Sequence, residues 1–553
     1  MTALSTTEPS AAPLPEAASA SDAWWRGAVI YQIYPRSFLD TDGDGVGDLP
    51  GILEKLDYVA DLGVEAVWLS PFFKSPMDDY GYDVADYRAV DPVFGALADF
   101  DAIIEKAHRL GLKIIIDQVY SHTSDQHEWF VESRQNRDNP KADWYVWADP
   151  KDDGSPPCNW QSVFGGGAWE WESRRQQYYL HNFLKSQPDL NVHNPAVQDA
   201  LLDVAKFWLD RGVDGFRLDA INFAMHDPAF GDNPPAPRDG RPLTRPFDYQ
   251  LHTRSQSHPD IPMFLERVRA LTDAYDGIFT VAEVGGPEPM REMKEFTLGE
   301  KRLNSAYNFT FLYADKLDAS RARSAVRAWG RVAGEGWPSW AFSNHDAPRA
   351  VSRWAAPADR DRAARLHAMA LMTLRGNAFL YQGEELGLPQ ADIPFSALKD
   401  PEAIANWPLT LGRDGARTPM PWSSERANAG FSSGSPWLPV DPRHVDLAVE
   451  RQAADPESML HFVRRLIALR RTSPALRTGE LKFIDADEPL LCFRRGSGDE
   501  TLLCALNLGP DEIPLPADAM NVRRPLLACG LNHAGSRLID RLPGYGGFIA
   551  SLA

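Results

Sequence analysis

The chain has 553 residues, of which 44% are hydrophobic and 24% charged, a composition typical of globular proteins with a large core. Its formal net charge is -20 at pH 7. This charge argues against a protein that wraps nucleic acid or lies on an anionic membrane, because both kinds of binding need basic patches.

Residues 1–22 differ from the rest of the chain, since they are rich in Ala, Ser, Thr and Pro and contain no Lys or Arg. A secretory signal peptide needs a basic region followed by an apolar one, so we interpret this segment as a disordered tail. No apolar run approaches the roughly 18 residues of a membrane span. We therefore expect a soluble cytoplasmic protein, either a monomer or a homodimer, with no membrane partner.

The four cysteines, Cys158, Cys492, Cys504 and Cys529, do not show the spacing of a metal site. Three of them lie near the C-terminus, where one disulfide is the alternative, but we expect reduced thiols.

From residue 28 onward, short apolar runs alternate with amphipathic segments. The runs are typical of parallel strands covered on both faces, and the amphipathic segments repeat their apolar residues with the period of a helix. The predicted strands are 28–34, 66–70, 113–119, 215–220, 279–284, 305–311, 339–346 and 378–387. The predicted helices are 51–63, 100–110, 195–212, 262–275, 289–297, 320–330, 359–376 and 456–471.

Eight strand–helix units predict an α/β fold, a closed (β/α)₈ TIM barrel. Two irregular segments interrupt it, 122–192 after the third strand and 227–262 after the fourth. Short β-like runs predict an appended β-domain over residues 474–553. We assign the barrel to 23–121 and 193–473, and a loop-rich inserted domain to 122–192.

Charged and polar side chains gather at the predicted strand ends. Because all eight parallel strands end at one rim, where barrel enzymes hold their chemistry, these side chains should converge. They are Asp117 and His122 after strand three, Arg217 and Asp219 in strand four, Glu283 in strand five, and His345 and Asp346 in strand seven. A single aspartate there would be interpreted as a helix cap, but three carboxylates followed by irregular sequence favour a site.

Paired carboxylates are the machinery of glycoside hydrolysis. Two of them about 5–5.5 Å apart supply the acid and the nucleophile of a retaining enzyme. Arg217 precedes Asp219 by two residues and shares its face of the strand, so it favours the ionised form. The acid instead needs a raised pKa. The residue types alone leave open which carboxylate is which.

Four segments resemble the signature segments of the α-amylase family of glycoside hydrolases, family 13. They are DQVYSH (117–122), GFRLDAINF (215–223), AEVGG (282–286) and FSNHD (342–346), in the family's order. QPDLN (187–191) resembles the end of the family's inserted domain, and RTPMPW (417–422) a segment of its oligosaccharide-acting members. The resemblance runs from about residue 24 to the end and implies a barrel, an inserted domain after strand three and a C-terminal antiparallel β-sandwich.

The resemblance also implies roles for individual residues. Asp219 is similar to the nucleophile, Glu283 to the acid/base, and Asp346 to the third carboxylate, which holds sugar hydroxyls. The residues implied to bind substrate are Asp79, Tyr82, His122, Phe164, Arg217, His345 and Arg413. Arg413 is expected to pair with Asp79 at the blind end of the sugar site, with Arg417 as the alternative partner.

A blind site admits a chain end, so the resemblance implies an exo-acting, retaining α-glucosidase with a small oligosaccharide as substrate. Residue 220 is Ala, where the resembling subfamilies have Val for α-1,6 or Thr for α-1,4 preference. We favour maltose-like α-1,4 substrates, followed by sucrose. The alternatives are a transglucosylase or sucrose isomerase with the same covalent intermediate, and a non-catalytic transporter-subunit relative, which the complete set of carboxylates disfavours.

The segment DTDGDGVGD (40–48) predicts a second site. Its aspartates place oxygen atoms at alternate residues, as in the first half of an EF-hand loop, but position twelve is Gly51 rather than Glu. The stretch resembles the metal loop of oligosaccharide-acting family members. The expected ligands are Asp40, Asp42, Asp44, Asp48 and the carbonyl of Val46. Flexible oxygen coordination favours a structural Ca²⁺ over Mg²⁺, and an acidic solvated turn is the alternative.

Overall fold

A closed barrel of eight parallel strands forms the centre of the protein, which confirms the predicted fold class. The computed structural model describes residues 23–238, 240, 243–329, 336–410, 412–519, 522, 525–531 and 539–552. In chain order the barrel strands are Val29–Ile33, Ala66–Leu69, Lys113–Val119, Gly215–Asp219, Phe279–Val284, Ser305–Asn308, Trp337–Ala341 and Asn377–Tyr381. The predicted disordered tail, residues 1–22, lies outside the described residues.

Three barrel strands end three or more residues earlier than predicted. The seventh strand stops at Ala341 because the Asn344 side chain accepts hydrogen bonds from the backbone N–H groups of Asp346 and Ala347, which turns the chain. The eighth stops at Tyr381, and Gly383 follows with a φ of +87°, a left-handed conformation that glycine adopts without strain. The sixth stops at Asn308. Asp346 therefore sits on a loop rather than in a strand.

Helices cover the outside of the barrel where the apolar periodicity predicts them. Asp48 caps helix Leu49–Asp61 by accepting a hydrogen bond from the N–H of Gly51, and Asn194 caps helix Pro195–Leu209. The eight larger helices are Leu49–Asp61, Leu97–Arg109, Pro195–Leu209, Ile261–Thr272, Pro289–Thr297, Ala319–Ala328, Arg360–Thr373 and Met459–Thr472. Shorter ones are Glu128–Ser133, Ala350–Trp354, Pro401–Asn406, Pro442–Val445, Val449–Ala454 and Pro474–Arg477.

The segment after strand three forms a small subdomain above the rim. It contains an antiparallel sheet of Trp147–Ala148, Trp169–Glu172 and Gln177–Leu180. Two further short strands, Phe73–Lys74 and Asp86–Val90, lie in the segment after strand two and pair with each other. An isolated bridge between His122 and Asp189 brings both ends of the inserted segment back to the barrel.

The C-terminal part is antiparallel, as predicted. One sheet has five strands, Glu480–Phe483, Leu490–Ser497, Glu500–Asn507, Leu527–Cys529 and Gly547–Ser551, and a second pairs Ile513–Pro514 with Arg541–Leu542. The buried Arg495 joins this part to the barrel by donating to the carbonyl of Thr373.

The four cysteines are buried and unbridged, which confirms the expectation of reduced thiols. Among the described residues, no helix is both long and apolar enough to cross a membrane.

Candidate active site

The barrel register alone brings the predicted catalytic carboxylates together. Strand three pairs with strand four so that Asp117 lies opposite Arg217, and strand five places Val281 opposite the same arginine. Side chains alternate along a strand, so Asp219 and Glu283, each two residues further on, lie on that same face at the next level. The two carboxylates therefore meet at the rim.

Arg217 contacts all three acidic groups around it. Its Nη1 lies 2.7 Å from Oδ1 of Asp117 and also contacts Asp219, and its Nη2 lies 2.5 Å from Oε1 of Glu283. The Tyr307 hydroxyl accepts from Arg217 at 3.0 Å and donates to Glu283 at 3.1 Å. The arginine is fully buried, so one cation fixes both carboxylates and compensates part of their charge.

The protonation of this pair suits acid catalysis near neutral pH. Burial raises the pKa of Asp219 and that of Glu283 to about 7, although Arg217 opposes both shifts. The negative charge of Asp219 adds to the rise at Glu283. One proton shared by the two carboxyl groups gives a protonated acid beside an ionised nucleophile, the state that a retaining glycosidase requires.

The third carboxylate, Asp346, stays ionised. Arg417 Nη2 lies 2.7 Å from its Oδ1, and Arg413 Nη1 lies 3.4 Å from the same atom. Burial alone would raise the pKa of Asp346, but His345, followed by these two guanidinium groups, holds it well below its usual range. An acceptor fixed in this way can hold sugar hydroxyl groups without taking up the proton that catalysis needs.

A buried ion pair closes one end of the site. Arg413 Nη2 lies 2.8 Å from Asp79 and 2.8 Å from Asp400, and Gln187 donates to the other Asp79 oxygen at 3.1 Å. The structure therefore places Arg413, and not Arg417, beside Asp79. The ring of Phe164 lies 4.9 Å from the Arg413 guanidinium carbon and covers it.

Two neutral histidines support the same end. Burial lowers the pKa of His122 to about 3 and that of His345 well below its ordinary value. Gln32 donates to Nδ1 of His345 at 2.8 Å, so the proton of that ring is on Nε2, which lies 3.1 Å from Asp346. Tyr82 stacks on His345 with ring centroids 5.3 Å apart. These contacts orient the ring by packing and hydrogen bonds together.

These groups surround a cavity of about 270 Å³. Of the predicted site residues, those that line it are Asp79, Tyr82, His122, Phe164, Asp219, Glu283, Asp346 and Arg413. Arg217 and His345 are fully buried behind this wall, so their direct contact with substrate stays a prediction. The opposite wall is aromatic, with Phe183, Phe223, Phe247, Phe309 and Tyr313. A cavity with a charged floor and apolar walls is suited to a sugar, which has polar edges and apolar faces.

The model of the alpha-amylase catalytic domain matches residues 32–479 of the chain. The protein belongs to the alpha-amylase family. A probable alpha-glucosidase of Rhizobium meliloti (strain 1021) is 51% identical over 540 residues, which cover 96% of this chain and 97% of the relative. An oligo-1,6-glucosidase of Parageobacillus thermoglucosidasius is 38% identical, over 88% and 90% of the two chains.

Among solved structures, an alpha-glucosyl transfer enzyme is 52% identical, with a TM-score of 0.91 over 96% of this chain and 100% of that one. The trehalulose synthase from Pseudomonas mesoacidophila MX-45 is 32% identical, with a TM-score of 0.88 over 98% and 100%. This member of the alpha-amylase family is therefore similar in sequence to proteins named as glucosidases, and it shares its fold with an alpha-glucosyl transfer enzyme and a trehalulose synthase.

Sequence reasoning missed several residues of the site. Gln187 begins a segment that resembles the family, but nothing in that segment indicates its contact with Asp79. Arg245 and Phe247 come from the segment after strand four, and Glu402 comes from the short helix Pro401–Asn406. No periodicity in these segments predicts which side chain reaches the cavity. Only the path of these loops in space reveals them.

The aspartate loop outside the barrel rim brings three carboxylates together. Oxygen atoms of Asp40, Asp42 and Asp48 lie within 4.8 Å of one another. Asp44 is not in this group, and its side chain accepts from the N–H of Val46 at 2.7 Å. The cluster fits a hard cation with oxygen ligands, because three carboxylates this close repel one another unless a cation compensates them.

Proposed function

We propose that the protein is a retaining, exo-acting α-glucosidase that releases α-glucose from the non-reducing end of short α-glucosides. The observation that carries this proposal is the cavity with Asp219, Glu283 and Asp346 on one wall and the Asp79–Arg413 ion pair closing its end. A closed end leaves no path for a polymer to continue past the reacting sugar. The similarity to proteins named alpha-glucosidase supports the same activity.

The reaction proceeds in two displacements. Glu283 gives its proton to the glycosidic oxygen while Asp219 attacks the anomeric carbon, so the old C–O bond breaks and a glucosyl ester forms. Water then attacks the same carbon, Glu283 takes the proton of that water, and Asp219 leaves as carboxylate. Two inversions retain the α-configuration. The N–H of Ala220 contacts Glu283 Oε2 at 3.2 Å and orients it between the steps.

The preferred substrates under this proposal are maltose-like α-1,4 glucosides, followed by sucrose. The small side chain of Ala220 lines the cavity directly after the nucleophile and leaves room on the leaving-group side. Relatives named for 1,6 bonds keep isomaltose among the substrates to be tested.

Transfer of glucose to a second sugar is the alternative outcome of the same intermediate. The similarity to an alpha-glucosyl transfer enzyme at 52% identity favours it. Both outcomes share the first displacement and differ only in whether water or a sugar hydroxyl attacks the glucosyl ester.

The test is a pair of isosteric variants, Asp219→Asn and Glu283→Gln. Each should lower kcat for maltose by roughly 10²–10⁴-fold or more while thermal unfolding is unchanged, because each removes one reacting group and little packing volume. Glu65→Gln is the control, a half-buried carboxylate directly before strand two and outside the cavity lining. Near-normal turnover in either site variant would refute the assigned role.

We further propose that the aspartate loop binds a structural Ca²⁺ through Asp40, Asp42 and Asp48, supported by the 4.8 Å grouping of their oxygen atoms. Asp44 and the carbonyl of Val46 complete the set expected from the family resemblance. A cytoplasmic location is part of the same proposal, and the four unbridged thiols support it. A monomer or homodimer stays the expected oligomeric state.

A further inference from the structure

Two histidines and an aspartate lie together outside the cavity. His193 directly precedes the cap of helix Pro195–Leu209, and His258 and Asp260 directly precede helix Ile261–Thr272. One potential ligand atom from each of the three side chains lies within 4.8 Å of the others. All three side chains are half-buried or exposed, so solvent ions can reach them. None of them takes part in the proposed reaction.

The contact of His193 with its neighbour fixes which tautomer the neutral ring adopts. Its Nε2 lies 2.8 Å from the backbone carbonyl of His226, which can only accept, so Nε2 carries a proton. In the neutral ring the lone pair is therefore on Nδ1. A histidine that donates one ring N–H to a backbone carbonyl and keeps the other nitrogen free is arranged as metal-binding histidines are.

His258 faces Asp260 through its Nδ1. This atom lies 3.7 Å from Oδ2 of Asp260 and 3.3 Å from the backbone N of the same residue, a long contact that a metal can replace. This contact places one ring nitrogen of His258 beside the carboxylate of the group.

We propose that His193, His258 and Asp260 bind a divalent transition metal ion, with Zn²⁺ the best fit to two imidazoles and one carboxylate. Zinc takes nitrogen and oxygen ligands at about 2.0–2.2 Å, which puts neighbouring ligand atoms roughly 3.3 Å apart in a tetrahedron. The three ligand atoms must move closer together to reach this spacing, and water would take the fourth position.

Such an ion would connect the N-termini of helices Pro195–Leu209 and Ile261–Thr272 to the wall of the sugar cavity. The residue before His258, Ser257, donates its N–H to the carbonyl of Asn222 at 2.6 Å, and the Asn222 side chain contacts Gln256. Asn222 lines the cavity. Binding at the histidines therefore holds the loop after strand four against the barrel.

The test is calorimetric titration of the EDTA-treated full chain with Zn²⁺ in excess Ca²⁺, which keeps the aspartate loop occupied. The wild type should bind one Zn²⁺ more than the triple variant His193→Ala/His258→Ala/Asp260→Ala. Single variants His258→Asn and Asp260→Asn should each weaken binding about 10–100-fold. His461→Ala, a change at another half-buried histidine outside the proposed site, is the matched control and should bind as the wild type does.

Thermal unfolding measured without metal shows whether each variant folds. If the triple variant does not fold, the milder Asp260→Asn variant still tests the proposal. Co²⁺ provides a second readout, because bound tetrahedral Co²⁺ absorbs visible light and should do so only when both histidines are present. Equal Zn²⁺ uptake by the wild type and by Asp260→Asn and His258→Asn, or no Co²⁺ band in the wild type, would overturn the proposal.

Discussion

At the scale of single residues, the two arginines after residue 412 show what sequence can decide. Arg413 and Arg417 are four positions apart, and either could have paired with Asp79 by sequence distance. In the structure Arg413 forms ion pairs with Asp79 and Asp400, and Arg417 forms an ion pair with Asp346. The choice depends on how the loop between them turns, which no residue pattern encodes. Asp219 and Glu283 were predictable because the two-residue period of a strand and the register of the sheet fix the direction of their side chains.

The pH dependence of activity tests the Asp219–Glu283 pair. Glu283 must carry a proton to act as acid, and burial raises its pKa to about 7. Activity on maltose should therefore fall as pH rises through about 7, as that proton is lost. At lower pH activity should fall again when the pair takes up a second proton, because Asp219 must be ionised to attack.

The control for this profile is the Glu283→Gln variant measured over the same pH range. The residual activity of this variant should not fall as pH rises through about 7, because glutamine does not titrate in this range. An unchanged alkaline limb in this variant would assign the limb to another group.

At the scale of elements, the loop before the first large helix combines two roles. Asp48 caps helix Leu49–Asp61 through Gly51 and also belongs to the proposed calcium site. Calcium should raise the melting temperature, since a ligand at 100 times its Kd stabilises the folded state by about 2.7 kcal/mol. Differential scanning calorimetry with Ca²⁺ and with EGTA measures this shift.

Three variants separate the cap from the metal. Asp40→Asn should abolish the calcium shift and leave the helix cap in place. Asp48→Asn should do the same, because asparagine caps helices as well as aspartate does, whereas Asp48→Ala should cost a further ~1 kcal/mol. A full calcium shift in Asp40→Asn would exclude the proposed site.

The strands and helices of the barrel could be predicted because their apolar residues recur with the period of a strand or of a helix. The loops have no such period and could not be predicted, yet they supply most of the aromatic wall of the cavity. Phe309 follows a strand that ends three residues earlier than the apolar run, and Phe247 lies in a segment without periodicity. A loop side chain is placed by its contacts with distant parts of the chain, which is why the family resemblance was needed for residues such as Phe164.

At the scale of the whole molecule, three separate parts of the chain meet above the cavity. Arg245, from the segment after strand four, lies 2.8 Å from Glu402 of the segment after strand eight. The same arginine donates to the carbonyl of Val163 in the inserted segment at 3.3 Å. We expect these contacts to narrow the leaving-group side of the cavity, so that the assembled loops rather than the barrel limit the length of the substrate.

Starch should therefore be a poor substrate compared with maltose. We expect kcat/KM per chain end to be at least ~10-fold lower for soluble starch, since a long chain must pass between these loops. Arg245→Ala should reduce the difference, with Arg254→Ala, an exposed arginine of the same loop, as control. Comparable rates on starch and maltose in the wild type would contradict a site restricted to short substrates.

The configuration of the first glucose released tests the central claim most directly. Maltose is added to the enzyme in an NMR tube, and the anomeric proton signals are followed before mutarotation brings the two anomers of glucose to equilibrium. Two displacements at the Asp219–Glu283 pair predict that α-glucose appears first from the non-reducing residue. Initial release of β-glucose would mean a single inversion and would contradict Asp219 as the nucleophile.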